Sequence, residues 1–431
     1  MRRVVLLTIA VSLSGCFEAP CEVASEPGSP PTPCLAPRPE ADAGRTVDAG
    51  RAVDAGLALD AGSDGGRRDA GVDAGVPITV LDAGVRLVDL GLVGTDGGSS
   101  GELSFDVGPD DEGFQVELVS RSAGLLVLQV DALRSPTGTI LALGPDDQLH
   151  LSRSRANVGA QAALVLESDD ARREFVPGTW RFRVTARDEN DLPASALVSV
   201  RIFVKPRPPL GARQRLGLNL FFSGSAGLTA QSAPTQPRLQ QALGEFRARY
   251  LDAGIELDPP RLLTLPPGFS TITEYFELDA GPRIGRSAQE LLRQSASAPP
   301  GMNIFFVESL VLDPRVPPGG ILGVAGGVPG LTMTQGTTAS GVIVLFDAAR
   351  FVPRRPGDVD TLGNTLAHEV GHQLGLSHVF ELSGDEDNLS DTAGQNEPRA
   401  EENLMAPFSG DKGRLTPLQA TTLRRNPVVR P

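Results

Sequence analysis

The stretch His368-Glu369-Val370-Gly371-His372-Gln373-Leu374-Gly375-Leu376-Ser377-His378 holds three of the chain's four histidines. An α-helix turns about 100° per residue. His368 and His372 are therefore about 400° apart, on one face and one turn from each other, and can hold a single ion together. Glu369 falls on the neighbouring row, beside such an ion rather than on it. His378 follows His368 by ten residues, so a continued helix would leave it about 80° off that face. Gly375 can take a positive φ, end the helix and let the chain bring His378 back. Three neutral imidazoles leave a fourth position for water, which is the open arrangement of a catalytic zinc rather than the closed one of a structural zinc.

Around this stretch, residues 214–431 read as α/β. Leu218–Phe222, Met302–Val307 and Val342–Phe346 are apolar runs of strand length. Leu239, Ala242, Leu243, Phe246 and Tyr250 mark one helix face, with Pro237 near its start and Gly254 beyond its end. Ser287-x-x-Glu290 predicts a capping box opening a short helix that stops before Pro299. A last helix begins near Thr361 and carries the histidines.

Residues 78–206 read as a β-sandwich. Trp180, Phe182, Val184 and Ala186 alternate with polar residues, as do Val198, Val200, Ile202 and Val204. Leu125–Val130, Thr139–Leu143 and Ala162–Glu167 are further strand candidates, and Pro206–Pro209 marks the boundary. No chemical constellation appears in this part. His150 sits in a Gly-Pro-Asp-Asp context and reads as a solvated residue. Prodomain, substrate-binding module and spacer are all open roles for it.

Residues 16–77 are low-complexity. Asp-Ala-Gly recurs at Asp42, Asp48, Asp54, Asp60, Asp69, Asp73 and Asp82. Calcium β-roll repeats need paired glycines and a recurrent large apolar residue, which this stretch lacks. It reads as a disordered tether with a span of about 40–45 Å. Before it, Met1-Arg2-Arg3 and the apolar run Val4–Leu13 make a signal segment over 1–15. That run is too short for a membrane-crossing helix of ~20 residues.

Leu13-Ser14-Gly15-Cys16 resembles a bacterial lipobox, which implies cleavage before Cys16 and lipidation of its thiol. The alternative is an ordinary secretory signal that happens to contain Cys16. Phe17 rather than Asp at the next position favours the outer membrane. Cys21 and Cys34 remain as an even pair in an exported chain, so a local disulfide is plausible.

HExxHxxGxxH is the signature that this chain shares with the metzincin zinc peptidases, which it resembles over residues 360–408. Asn403-Leu404-Met405-Ala406-Pro407 is similar to their Met-turn, and His378-Val379-Phe380 with Asp387-Asn388-Leu389-Ser390-Asp391-Thr392 resembles the pappalysin branch. Gly323-Val324-Ala325 and Pro329-Gly330 look like the loop before that family's edge strand. The resemblance implies a metzincin-type catalytic domain over 214–431 and zinc held by His368, His372 and His378. It also implies Glu369 as the base that takes a proton from zinc-activated water, Met405 in a structural role, and protein or peptide substrates. Many metzincins carry a tyrosine two residues after the methionine; Pro407 stands there in this chain. The acidic run from Glu381 to Glu402 reads either as a solvated loop or as a calcium site. The pappalysin resemblance favours calcium, with Asp387, Asp391 and Thr392 as candidates.

With 39 basic and 53 acidic residues the net charge is −14. This argues against nucleic acid or an anionic bilayer surface as partner, leaving a lipid anchor as the sole membrane contact. The competing reading is a non-catalytic surface lipoprotein whose β-sandwich binds a partner and whose metal site is a relic.

Overall fold

The computed structural model describes the backbone of Gly15–Phe17 and residues 78–81, 84–141, 153–154, 157–167, 175–273, 286–311, 321–346, 361–380, 387, 389–392, 400–407 and 413–431. The readings of the signal segment and the tether apart from Gly15–Phe17, and those of Cys21, Cys34 and His150, lie outside these residues.

A three-residue strand, β1 (Gly15–Phe17), comes first. The first sheet of the β-sandwich contains β2 (Ile78–Val80), β3 (Arg86–Thr95), β5 (Asp111–Ser120), β8 (Arg153–Ser154), β10 (Ala160–Leu166) and β12 (Ala196–Pro206), in the order β2-β3-β12-β5-β10-β8. The second contains β4 (Leu103–Val107), β6 (Val127–Arg134), β7 (Ile140–Leu141), β9 (Asn157–Val158) and β11 (Gly178–Arg187). Its order is β4-β11-β6-β7, with β9 also paired to β6. All these pairings are antiparallel. The expected inward set, Trp180, Phe182, Val184, Ala186, Val198, Val200, Ile202 and Val204, is buried in one core with Phe105 and Phe114. Phe114 packs edge-on against Trp180 at 5.1 Å, and the indole N–H donates to Val176 O at 3.0 Å.

The second half begins with β13 (Gln214–Leu216), β14 (Leu218–Phe222), α1 (Pro237–Asp252), β15 (Ile255–Leu257), β16 (Arg261–Thr264) and β17 (Thr271–Thr273). Next come α2 (Arg286–Arg293), β18 (Met302–Val307), β19 (Ser309–Val311), β20 (Ile321–Ala325) and β21 (Val342–Leu345). It ends with α3 (Thr361–Gln373) and α4 (Pro417–Arg425). Its main sheet runs β1-β20-β21-β18-β14-β16. β16, β14, β18 and β21 are parallel, while β20 is antiparallel to β21 and β1 antiparallel to β20. The central strands β14 and β18 are buried on both faces, as unbroken apolar runs require.

Helices α1 and α3 share one core on one face of this sheet, and α2 contributes to the other. Gln236 caps α1 through its side chain, Pro237 opens the helix, and Gly254 follows it at φ +79°. Gly363 lets α3 approach α1 closely, since a Cβ there would stand 2.5 Å from Glu245 Cβ.

Two expectations are corrected. Ser287 lies inside α2, which starts at Arg286, so it is not the residue before the helix. The histidine helix is not the last: α4 follows, opened by a capping box of Thr416 and Gln419.

The sandwich and the second half form one compact unit rather than two separate bodies. The outer face of the first sheet is covered over β5 and β10: every described position of β10 is buried, and so are the first eight of β5. Leu164 and Leu166 of β10 share an apolar cluster with Leu389 and Leu418. Ala160 and Ala162 share another with Leu331 and Ala339.

Candidate metal centre

Helix α3 is buried at all positions but its first. A helix hydrophobic or enclosed all round belongs in a core rather than on a surface. Its end follows from Gly375. Gly375 N–H donates to His372 O and Leu376 N–H to Gly371 O, both at 2.9 Å, while Gly375 takes φ +111°. This is the Schellman arrangement, which a glycine without a Cβ penalty makes accessible. The chain reverses there and returns His378 to the face that carries His368 and His372.

The three imidazoles converge. His368 Nε2 is 2.9 Å from His372 Nε2 and 3.2 Å from His378 Nε2. All three rings are buried, and among the described residues theirs is the one set of three or more His, Cys, Asp or Glu side chains able to hold an ion. The tautomers follow from the partners. His368 Nδ1–H donates to Leu404 O at 2.7 Å, and His372 Nδ1–H to Leu376 O at 2.8 Å. A carbonyl only accepts, so each Nδ1 carries the proton and each Nε2 of the neutral ring offers a lone pair. Lone pairs facing one another this closely repel unless a cation lies among them. Nitrogen ligands at about 2.0–2.1 Å from a tetrahedral zinc stand about 3.3–3.4 Å apart; the spacings of 2.9 and 3.2 Å are slightly shorter, so the rings must part by a few tenths of an ångström to seat such an ion.

Other predicted residues fall around the triad. Glu369 is fully buried on α3, and its carboxylate lies against β20: a Cβ on Gly323 would stand 2.9 Å from Glu369 Oε1. Met405 is fully buried beneath the helix, its sulfur against Gly371. Asn403 Oδ1 accepts from Met405 N–H at 2.8 Å, and Met405 O from Val379 N–H at 3.0 Å. The turn that carries Met405 thus also presents the Leu404 carbonyl that orients His368. Tyr250 of α1 donates to Ala367 O at 3.3 Å, and burial pushes its phenol up from the usual range.

Asp387, Asp391 and Thr392 do not converge with further acidic groups among the described residues. Asp387 Oδ1 accepts from Leu389 N–H at 3.0 Å and from Thr392 Oγ1 at 2.5 Å. Asp391 accepts from Thr416 Oγ1 and Leu418 N–H, both at 2.8 Å, at the start of α4. Cys16 lies in β1, which pairs with β20 through Gly15↔Val324 and Phe17↔Ile321.

Sequence reasoning missed the polar contacts that reach this region from the β-sandwich. Gln115 and Glu117 of β5 alternate with Phe114, Val116 and Leu118 in the manner of a solvent-facing row, yet both are buried against the second half.

No protein-family model matches the chain. Over 72 residues it is 42% identical to an extracellular metalloprotease of Colletotrichum graminicola, covering 15% of this chain and 25% of that protein. The chain therefore spans about a quarter of the length of the curated relative it matches. Among solved structures, metalloproteinase-II from Bacteroides fragilis aligns with 52% of this chain and 61% of its own, at 15% identity and a TM-score of 0.29. A family two carbohydrate esterase from Cellvibrio japonicus aligns with 45% and 49% of the two chains, at 10% identity and a TM-score of 0.14. Scores this low carry no argument. The sequence similarity and the histidine triad together support a metallopeptidase.

Proposed function

We propose that the chain is an exported zinc-dependent endopeptidase of the metzincin type, with His368, His372 and His378 as zinc ligands and Glu369 as general base. The observation that carries this reading is the convergence of three Nε2 lone pairs, two of them fixed by Nδ1–H bonds to backbone carbonyls. Bound zinc supplies Lewis acidity, polarising a carbonyl and making water more acidic.

The chain's own groups supply the rest. Glu369 accepts the proton of the attacking water and returns it to the leaving amine. Its burial against Gly323 fixes the carboxylate beside β20. The outer edge of β20 accepts an extended segment in antiparallel register, as its pairing with Gly15–Phe17 illustrates. A substrate peptide laid along this edge uses backbone hydrogen bonds, which recognise extended chain regardless of side chain. Cleavage before Cys16 removes Gly15, the partner of Val324, and leaves Phe17, the partner of Ile321. Lipidation of Cys16 then anchors the enzyme to the cell envelope; among the described residues no helix is long and apolar enough to cross a membrane.

Calcium is not part of the proposal. Asp391 uses both oxygens on the start of α4, and the Thr392 hydroxyl donates to Asp387.

Digestion of an unfolded protein such as casein, with and without a zinc chelator, tests the reading. The proposal requires cleavage that chelator stops and zinc restores. A folded, zinc-loaded chain that cleaves nothing returns the assignment to a non-catalytic envelope lipoprotein.

A further inference from the structure

We infer that the β-sandwich is a positioning element for the metal centre: Gln115, Glu117 and Leu164 hold the turn that carries the chain from His372 to His378. The inference rests on the zinc reading above.

The polar part of this hold starts on β5. Glu117 Oε1 accepts from Thr332 N–H and Met333 N–H, both at 3.0 Å, and from Gln115 Nε2 at 2.8 Å. Gln115 Nε2 also donates to Gly330 O at 3.1 Å, and Gln115 Oε1 accepts from Asn426 Nδ2 at 3.3 Å. Two of these partners, Gly330 and Asn426, act on the end of α3. Gly330 N–H donates to Gln373 O at 3.0 Å, and Asn426 Nδ2 donates to Leu374 O at 3.2 Å. The last carbonyls of a helix have no intrahelical donor, and here they receive donors that the sandwich fixes.

The apolar part starts on β10. Leu164 packs against Gly375, so closely that a Cβ on Gly375 would stand 2.7 Å from Leu164 Cδ2. Gly375 is the pivot between the second and third histidines. The sandwich thus buttresses the pivot on its apolar side and satisfies the helix end on its polar side. Neither contact touches a metal-facing atom, so these are positioning residues and not catalytic ones. The arrangement also decides among the roles open for the sandwich: it is not a spacer that can be detached.

Zinc affinity of the full chain, measured by competition with a chromophoric chelator below the melting temperature, tests the inference. Changes to groups that support metal ligands typically weaken affinity about 10–100-fold. Glu117→Ala and Gln115→Leu are expected to weaken zinc by about tenfold. Glu117→Gln, whose amide oxygen still accepts from Thr332 and Met333, is expected to recover most of the loss. Leu164→Ala disturbs no polar group and guards against misfolding of the first two; it is expected to weaken zinc severalfold. Val130→Ala, in the sandwich core, is expected to lower the melting temperature and leave affinity unchanged. Folded Glu117→Ala, Gln115→Leu and Leu164→Ala chains that bind zinc as the wild type does would overturn the inference. So would an equal loss in Val130→Ala. A folded wild-type chain that takes up no zinc removes the zinc reading, and the inference with it; wild-type uptake with unaffected variants removes the inference alone.

Discussion

Gly371 lies directly over Met405: a Cβ at position 371 would stand 2.8 Å from the methionine sulfur. Position 371 is on α3 between His368 and His372, so the pair sets the depth at which the helix sits. Overpacking a filled core typically costs about 1–3 kcal/mol. Gly371→Ala is expected to destabilise the protein by that order and to weaken zinc, read by denaturant unfolding and metal titration. Met405→Leu keeps the volume and is expected to cost less than about 1.5 kcal/mol.

Gly323→Ala probes the proposed role of Glu369 without changing that residue. The new Cβ would meet Glu369 Cγ at 2.6 Å and Oε1 at 2.9 Å, so the carboxylate must move. The histidines are untouched. Zinc content is expected to stay at the wild-type level while kcat falls by at least tenfold. Unchanged kcat in a zinc-loaded variant would show that the carboxylate need not sit where Gly323 places it.

Lys205 gives the stability a pH dependence. Its side chain is 1% exposed, and burial lowers its pKa from 10.5 to about 8 despite the Glu112 carboxylate 3.5 Å away. The same burial raises Glu112. Above pH 8 the folded state has released the Lys205 proton while the unfolded chain keeps it until about 10.5. The unfolded state then binds more protons, so stability from this group rises with pH across that window. Below pH 8 both states are protonated and the burial penalty is fully present. Lys205→Met removes this titration together with the donor to Gln214, Arg424 and Asn426. The stability of the wild type relative to the variant is expected to rise between pH 8 and 10, as followed by denaturant midpoints.

Asp391 holds the first turn of α4 from outside the helix, through Thr416 Oγ1 and Leu418 N–H. Loss of such a helix-start acceptor costs about 0.5–2 kcal/mol. Asp391→Ala is expected to lie in that range by denaturant unfolding, with zinc affinity retained. A loss of stability that depends on added calcium would instead assign Asp391 to an ion.

The sequence was legible where one local rule governed the outcome. β14 and β18 are apolar throughout because parallel strands are covered on both faces, and both match their predicted bounds. The turn at Gly375 was legible because only a positive φ could return His378 to the ion-facing side. The β-sandwich strands showed their period of two, but the same period concealed the interface. Gln115 and Glu117 look solvated by alternation, and nothing local marks partners 215 residues away. Helix α4 escapes a reading by periodicity although Thr416-Pro417-Leu418-Gln419 carries a capping signature, since its short sequence lacks a long apolar stripe.

The central claim is that Glu369 does chemistry at a metal held by the three histidines, and it is tested most directly by pairing Glu369→Ala with His372→Ala and measuring zinc content and peptide cleavage on the same preparations. General acid–base groups contribute typically 10²–10⁴-fold. Glu369→Ala is expected to keep its zinc and lose cleavage by at least that factor, whereas His372→Ala is expected to lose both. A zinc-loaded Glu369→Ala protein that cleaves peptides at near-wild-type rates would contradict the account.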